Sequence, residues 1–319
     1  MFARGDVDLI HFLYRFMYLR SGQLSKLSGG RSIQSIRRRM RELIRLGFVV
    51  PLERAPMEEK AYTLGPEGYK FIADEMKVDV KDLPFTRFAS KAASLFWLHT
   101  LLVNDTAVAT HLAAETHPEL ILHDIVHEFQ LQDPRAKEKH KRFLLREDLK
   151  EGDKTFSFRP DCLFVVYGET GGLGNSMALF LEADRGSEAL GRIEAKYEGY
   201  RVYYERGLYH QNFDCVGMRC LFVLEGVKGK GRIISMRRRL EALSAKYDSD
   251  FAHIFRFTHR DLLNEHTIVD APIWQDVTGK LHPLYKPQGL DVGRLLHEHR
   301  DFIVPFYGRQ ALEQTAAEA

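Results

Sequence analysis

From about residue 91 onward, the sequence alternates short apolar runs with longer amphipathic segments. The amphipathic segments carry apolar residues at helical spacing and predict helices at about 91–115, 187–206 and 230–247. The apolar runs are rich in β-branched and aromatic residues and predict strands at 121–130, 156–167, 177–183, 220–225 and 253–257. Three of these strands follow one another before helices and strands alternate. This order predicts a mixed α/β fold in which one sheet is flanked by helices.

The composition is that of a globular protein, and the length predicts two domains or one large domain. Its 319 residues are 45% hydrophobic and include 21 Phe and 13 Tyr, which excludes a disordered polyelectrolyte. Cys162, Cys215 and Cys220 form no Cys-x-x-Cys pair and are too few for a disulfide framework, so we expect a reducing compartment. No run reaches the roughly 18 apolar residues of a membrane span, and the first residues do not resemble a signal peptide. We therefore expect a soluble, cytoplasmic protein.

The net charge of +2 conceals an uneven distribution. Residues 1–70 hold 13 Lys and Arg against seven Asp and Glu, whereas the remaining residues hold 33 against 37. The nearly neutral total excludes a generally polybasic protein. A basic front joined to a mildly acidic back predicts one domain that faces nucleic acid and a second domain with another task.

The basic front has the element pattern of a winged helix-turn-helix. The predicted helices, in chain order, span 6–19, 23–27, 32–46 and the residues from Pro66 onward. Gly47 suits the end of the third helix, and the runs 48–50 and 61–64 flank a charged loop and predict a two-stranded wing. In such a domain the third helix enters the major groove of duplex DNA.

The third helix separates an apolar face, which holds Ile36 and Met40, from a basic face. Near its leading end, the residues expected to reach base edges are Ser32, Gln34 and Ser35. The residues of the helix expected to bind the DNA backbone are Arg37, Arg38, Arg41 and Arg45. Beside the wing tip, Arg54 and Lys60 are expected to reach the backbone or a minor groove. Since Glu42 is the one acid on that face, DNA binding is favoured over a merely solvated helix. A winged helix that binds another protein remains an alternative.

Three acidic residues lie where the second and third predicted strands can bring them together. Asp161 follows Pro160 on the second strand, and Glu182 and Asp184 end the third. Residues two apart on a strand point to the same face, and a hairpin pairs the two strands directly. Converging carboxylates suit Mg²⁺ or Mn²⁺, which activates water and stabilises a phosphodiester under in-line attack. Lys196, in the helix that follows, is the cation expected to assist.

Several of these segments also allow other interpretations. Strand-end acids also cap helices or pair with arginines, so residues 184–187 are equally compatible with a simple strand-to-helix turn. The Gly-rich run 168–175 joins two strands instead of opening a helix, which argues against a phosphate-binding loop. His297-Glu298-His299 falls in a charged segment predicted to be helical, and His123 and His127 have no Cys at zinc-site spacing.

The order of the acids resembles the PD-(D/E)xK nuclease superfamily, with Pro160-Asp161 followed by Glu182-x-Asp184. The resemblance implies a restriction-endonuclease-like domain whose catalytic set is Asp161, Glu182, Asp184 and Lys196, with the three acids as metal ligands. Asp184 stands where the superfamily has a lysine. Lys196 is the natural substitute, with Arg185 or Arg192 as alternatives, and this departure bears on catalysis more than on the fold.

A wider set of motifs resembles the replication-relaxation family of plasmid and mobile-element proteins. The motifs in the front are Gln23-Leu24, Arg38-Arg39-Met40-x-x-Leu43-x-x-Leu46-Gly47 and Tyr62-Thr63-Leu64-x-x-x-Gly68. The motifs in the back are His99-x-x-x-Val103-Asn104-Asp105 and Leu181-Glu182-Ala183-Asp184-Arg185-Gly186-Ser187-Glu188, with Lys196 and Tyr200 in the next helix. Some members are similar to mobilization relaxases that nick an origin of transfer, and others are regarded as DNA-binding replication or regulatory factors.

These observations predict four segments: a winged-helix DNA-binding domain at 1–75, a linker at 76–92, a nuclease-like domain at 93–275 and a C-terminal tail at 276–319. The predicted function is sequence-specific binding of double-stranded DNA with nicking that depends on Mg²⁺ or Mn²⁺, at an origin of transfer or replication. The alternatives are a non-catalytic replication or transcription regulator, and a subunit that targets a separate enzyme. A homodimer and mobilization or replication proteins are further partners that this interpretation allows, whereas a membrane is not.

Overall fold

A computed structural model of the chain describes residues 4–52, 59–84, 94–117, 120–168, 176–226, 229–285 and 292–317. The chain divides into two compact units. The first unit comprises Met1–Val108 and Phe129–Leu144, and the second comprises Ala109–Glu128 and Leu145–Ala319. Arg54 and most of the Gly-rich run predicted as a hairpin loop lie outside the described residues.

The first unit begins with helices and a small antiparallel sheet. The helices are α1 (Arg4–Phe16), α2 (Ser21–Leu27), α3 (Ile33–Arg45) and α4 (Pro66–Met76). The strands are β1 (Leu19–Arg20), β2 (Val49–Pro51) and β3 (Ala61–Leu64), in the order β1-β3-β2. Val49 pairs with Leu64 as a hairpin requires. β1 was not predicted, because two residues are too few to show strand periodicity.

Local chemistry explains the ends of α3 and the start of α4. The Ser32 side chain accepts a hydrogen bond from the Ser35 N–H and caps the N-terminus of α3. Gly47 follows the C-cap with a φ of +80°, a conformation that glycine adopts without strain. Pro66 occupies the first turn of α4, where a missing N–H costs nothing.

The long helix α5 (Ser94–Thr116) contributes its first residues to this unit. Asn104 is fully buried, and its Nδ2 donates to the carbonyl oxygens of Phe16 (2.8 Å) and Tyr18 (2.6 Å). A buried cluster of Tyr18, Trp97 and other apolar residues surrounds this contact. The compact first unit therefore extends past the segment 76–92 that sequence patterns mark as a connector.

The second unit contains a seven-stranded mixed sheet. Its strands are β4 (Leu120–His127), β7 (Cys162–Gly168), β8 (Ser176–Asp184), β9 (Gly217–Leu224), β10 (Phe255–His259), β11 (Trp274–Gln275) and β12 (Leu281–His282), in the order β12-β11-β10-β9-β8-β7-β4. β8, β9 and β10 are parallel, and the other neighbours are antiparallel. A separate hairpin pairs β5 (Glu147–Glu151) with β6 (Lys154–Phe158). The mixed α/β fold predicted from the sequence is confirmed.

Helices cover this sheet and complete the chain. They are α7 (Leu190–Glu205), α8 (Leu208–Phe213), α9 (Gly229–Tyr247), α10 (Val292–Glu298) and α11 (Arg300–Ala317), and the short α6 (Lys139–Arg142) belongs to the first unit. Tyr197 of α7 is fully buried with Phe222 and Phe255 from the sheet. In the described part of the chain, no helix is long and apolar enough to cross a membrane.

The prediction of a single strand at 156–167 is wrong. It is two strands in two sheets, since β6 ends at Phe158 and β7 begins at Cys162. Pro160 lies between them, and a proline cannot donate to a strand ladder. Asp161 consequently precedes β7 instead of lying within a strand.

Candidate functional site

The residues predicted to contact DNA lie mostly on α3 or at its N-terminal cap. Those exposed to solvent are Ser32, Gln34, Arg37, Arg38, Arg41 and Arg45, together with Lys60 before β3, whereas Ser35 is half-buried. The Nε of Arg45 lies 3.2 Å from Glu42 Oε2, and the hydroxyl of Ser32 is engaged as the helix cap. Gln34 is therefore the more available polar side chain near the leading end of the helix.

Asp161 and Glu182 lie side by side on paired chain segments of the second unit. Cys162 pairs with Leu181 in the β7–β8 ladder, and the Asp161 N–H extends that ladder by donating to the Leu181 carbonyl at 3.0 Å. The Asp161 Oδ2 accepts a hydrogen bond of 2.7 Å from the N–H of Ala183, the residue after Glu182. Both carboxyl groups are buried. The strand register thus brings together two of the three predicted acids.

Helix α7 supplies two partners for Glu182. Lys196 Nζ lies 2.7 Å from Glu182 Oε2, and Tyr200 OH lies 2.9 Å from Oε1. The two side chains are four residues apart and share one face of the helix. Lys196 Nζ is also 3.0 Å from Glu188 Oε2. The structure therefore joins Lys196 to Glu182 and adds the buried Tyr200.

Burial and neighbouring charges set the protonation of this group. The pKa of Glu182 is raised to about 7, because burial and the charge of Asp161 together outweigh the opposing effect of Lys196. Burial lowers the pKa of Lys196, but the charges of Glu182, Asp161 and Glu188 outweigh it and hold that pKa above its usual range. Lys196 therefore remains a cation at neutral pH, while Glu182 can exchange a proton there. Perturbed carboxyl groups beside a cation are typical of functional sites.

Asp184 has a different set of partners. Its Oδ2 pairs with the guanidinium of Arg232 in the first turns of α9, and its Oδ1 accepts from the Gly186 N–H at 2.8 Å. Arg232 also donates to the Glu188 carbonyl. Asp184, the third predicted metal ligand, is therefore paired with Arg232. This arrangement matches the alternative interpretation of residues 184–187 as a strand-to-helix turn.

Arg185 and Arg192, the alternatives to Lys196, have other surroundings. Arg185 Nε is 3.4 Å from Glu225 Oε2, and Arg192 is exposed on α7. Sequence reasoning missed the roles of Tyr200 and Arg232. The spacing of Tyr200 from Lys196 was a usable signal, because residues at i and i+4 share a helix face. No such signal exists for Arg232, whose contact with Asp184 depends on the packing of α9 beside the end of β8.

Comparison with known proteins places these features in context. The protein-family model described as replication-relaxation matches residues 10–216, close to two thirds of the chain. A comparison with curated proteins found no match.

Proposed function

The chain belongs to the replication-relaxation family, and on that premise we propose that it binds double-stranded DNA and nicks it in a metal-dependent reaction. Membership points to a role in the replication or mobilization of a plasmid or mobile element. In this proposal the first unit is a winged helix that binds DNA, and the second is a PD-(D/E)xK-type nuclease domain that cuts one strand.

Charge supports the assignment of DNA binding to the first unit. That unit holds 22 Lys and Arg against 14 Asp and Glu, a net charge of +8, whereas the second holds 24 against 30, a net charge of −6. The exposed arginines of α3 are the natural backbone contacts, and Gln34 is the candidate for a base edge. A net positive unit is attracted to the DNA backbone through release of counterions.

One observation carries the nuclease assignment, namely the contact of Lys196 with Glu182 beside Asp161. A lysine that migrates to the following helix compensates for Asp184 in the superfamily pattern. Lys196, held protonated, places a positive charge where a scissile phosphate needs one. Tyr200 fixes the orientation of Glu182 through its hydroxyl.

A divalent cation fits part of this group. Asp161 and Glu182 offer the hard carboxylate oxygens that Mg²⁺ and Mn²⁺ prefer. Burial raises the pKa of Glu182, and the charge of Asp161 adds to that rise. When bound, such an ion supplies an activated water and stabilises the charge of the phosphodiester. Asp184 fits less well, because its carboxylate is already paired with Arg232. Asp161 and Glu182 are therefore the proposed ligands of the ion. Whether Asp184 is a third ligand is a question for a variant at that position.

A DNA-binding regulator without catalytic activity is the second candidate, and the Arg232–Asp184 pair favours it. An arginine that neutralises one carboxylate of a catalytic trio removes a reason for a metal to bind there. Lys196 likewise satisfies one oxygen of Glu182. In a regulator, these pairs stabilise the end of β8 and do nothing further.

Metal binding and nicking distinguish the two functions. We expect Mn²⁺ to raise the melting temperature of the full chain, since an ion that binds only the folded state stabilises it. Asp161→Asn and Glu182→Gln should abolish that rise and reduce nicking of a supercoiled plasmid carrying the DNA that flanks the chain's own coding region, by a factor on the order of 10² or more. Asp153→Asn, an exposed acid in the β5–β6 turn, is the matched control and should change neither result.

Two outcomes speak against the nuclease. A wild-type chain that binds this DNA but neither gains stability with Mn²⁺ nor nicks the plasmid is a regulator. Nicking that survives in both variants places the chemistry elsewhere in the chain.

A further inference from the structure

A short basic segment from the middle of the sequence belongs to the first unit. Residues 129–144 lie between β4 and β5 of the second unit along the chain, yet they form part of the compact first unit. The segment holds five Lys and Arg against two acids, a net charge of +3. It thus contributes a large share of the +8 carried by the unit to which we assign DNA binding.

The segment is a hairpin with a closed base. Leu131 forms a bridge with Phe143, the Gln132 N–H donates to the Arg142 carbonyl at 2.9 Å, and the Leu144 N–H donates to the Gln130 carbonyl at 3.0 Å. We call residues 129–144 the basic hairpin. Its backbone pairing holds the intervening residues together as one projection.

The base of the basic hairpin is anchored beside the wing. Phe129 is buried in the same apolar cluster as Leu52 and Ala61. Leu52 directly follows β2, and Ala61 begins β3, so these residues flank the loop that joins the two wing strands. The basic hairpin is therefore rooted next to the two strands of the predicted wing.

Four of the cations of the basic hairpin face solvent. Arg135 keeps 83% of its side chain exposed, and Lys137, Lys141 and Arg142 are also exposed. The two acids serve local roles, because Asp133 Oδ1 accepts from the Arg135 N–H at 2.9 Å and Glu138 pairs with Lys141. Exposed cations on a hydrogen-bonded hairpin suit the phosphate oxygens of a duplex, which need positive charge and little shape complementarity.

We propose that the basic hairpin is a second DNA-backbone contact of the first unit, beside the wing. The inference rests on the proposed DNA binding by that unit. It adds a surface that reads no sequence, fixes the register of the protein on the duplex and makes affinity more dependent on salt. Its partner is the phosphate backbone of double-stranded DNA.

The test compares two hairpins that are close in sequence but belong to different units. The affinity of the full chain for a random-sequence duplex is measured over a range of salt concentrations. Lys137→Ala with Arg142→Ala should weaken binding. It should also make the negative slope of log affinity against log salt shallower, by about 0.9 for each phosphate that the variant no longer neutralises. Lys150→Ala with Lys154→Ala, two exposed lysines on the β5–β6 hairpin, removes the same charge from the second unit and should leave the slope unchanged. Lys137→Arg with Arg142→Lys keeps the charge and should bind as the wild type does.

The α3 variant Arg37→Ala with Arg38→Ala separates failure of this inference from failure of the proposed function. If the wild type does not bind the duplex, or if the α3 variant binds as tightly as the wild type, DNA binding through α3 is wrong. If the α3 variant weakens binding while the basic-hairpin variant keeps the wild-type slope, only the second contact is wrong. Equal losses of affinity in the two hairpin variants attribute the effect to net charge and also overturn the inference.

Discussion

Arg39 of α3 donates two hydrogen bonds to the buried carboxylate of Asp6 in α1, with Nε 2.6 Å from Oδ1 and the second nitrogen on Oδ2. Its neighbours Arg37 and Arg38 are exposed on the outer face of the helix. Three consecutive arginines therefore divide between two environments. Arg39 joins two helices of the first unit, whereas Arg37 and Arg38 are exposed to solvent.

Arg39→Ala should destabilise the first unit, whereas Arg38→Ala should not. Removing the guanidinium leaves the Asp6 carboxylate buried without that partner, which we expect to lower the free energy of unfolding by roughly 2 kcal/mol. The value is below that of a fully buried pair because Arg39 is 35% exposed and partly screened by solvent. Urea denaturation followed by circular dichroism measures the difference. Equal stability of the two variants would show that the pair contributes nothing.

Elements formed by local patterns were predictable from the sequence. The apolar spacing that marks α3 and the proline that begins α4 act within a few residues, and both helices are found where expected. The contact of Arg39 with Asp6 joins residues 33 apart and leaves no periodic trace. Sequence reasoning could place Arg39 on a helix but could not name its partner.

The candidate site also contains contacts that the sequence could predict and contacts that it could not. Asp161, Glu182 and Lys196 were predictable because hairpin pairing and helix order are topological consequences of the element sequence. Arg232 was not, since its position beside Asp184 follows from the packing of α9 on the sheet. The break of the chain at Pro160 between strands β6 and β7 was also missed, although the proline offered a local signal.

Asn104→Leu should weaken the attachment of α5 to the segment from the end of α1 to β1 within the first unit. The substitution preserves approximate volume but leaves the carbonyl oxygens of Phe16 and Tyr18 without the donor that Asn104 Nδ2 provides. Losing bonds to two carbonyls in a buried site should cost about 2 kcal/mol or more. Hydrogen exchange of the first unit and urea denaturation measure the loss. His111→Leu, in the same helix and outside that unit, is the comparison, and an equal loss there would contradict a specific role for Asn104.

Glu182→Gln should change how stability depends on pH. Burial, and then the charge of Asp161, raises the pKa of Glu182 from 4.5 to about 7, although Lys196 opposes the shift. The folded chain therefore binds a proton that the unfolded chain has released. This contribution to stability is full below the unfolded pKa and is lost as pH rises through the folded pKa. The wild type should lose stability between about pH 5 and pH 8, and the glutamine variant should lose less.

Urea denaturation at several pH values measures this difference. Asp153→Asn provides the control, because it removes an exposed acid of the same unit. Parallel pH profiles of the wild type and Glu182→Gln would mean that Glu182 keeps one protonation state throughout this range.

Asp184 and Arg232 decide whether the third acid binds metal or anchors α9. If Asp184 serves as the anchor, Asp184→Asn and Arg232→Gln should each lower stability while the Mn²⁺-induced rise in melting temperature persists. The double variant should then lose less stability than the two single losses combined, with a coupling energy of about 1–3 kcal/mol, because either change breaks the same contact. If Asp184 is a metal ligand, Asp184→Asn should abolish the Mn²⁺ effect as Glu182→Gln does. Arg232→Gln should then strengthen that effect, since it frees a carboxylate that the arginine occupies. The two assignments predict opposite responses to Mn²⁺ in the Asp184 variant, so calorimetry with and without the ion distinguishes them even where nicking is too slow to measure.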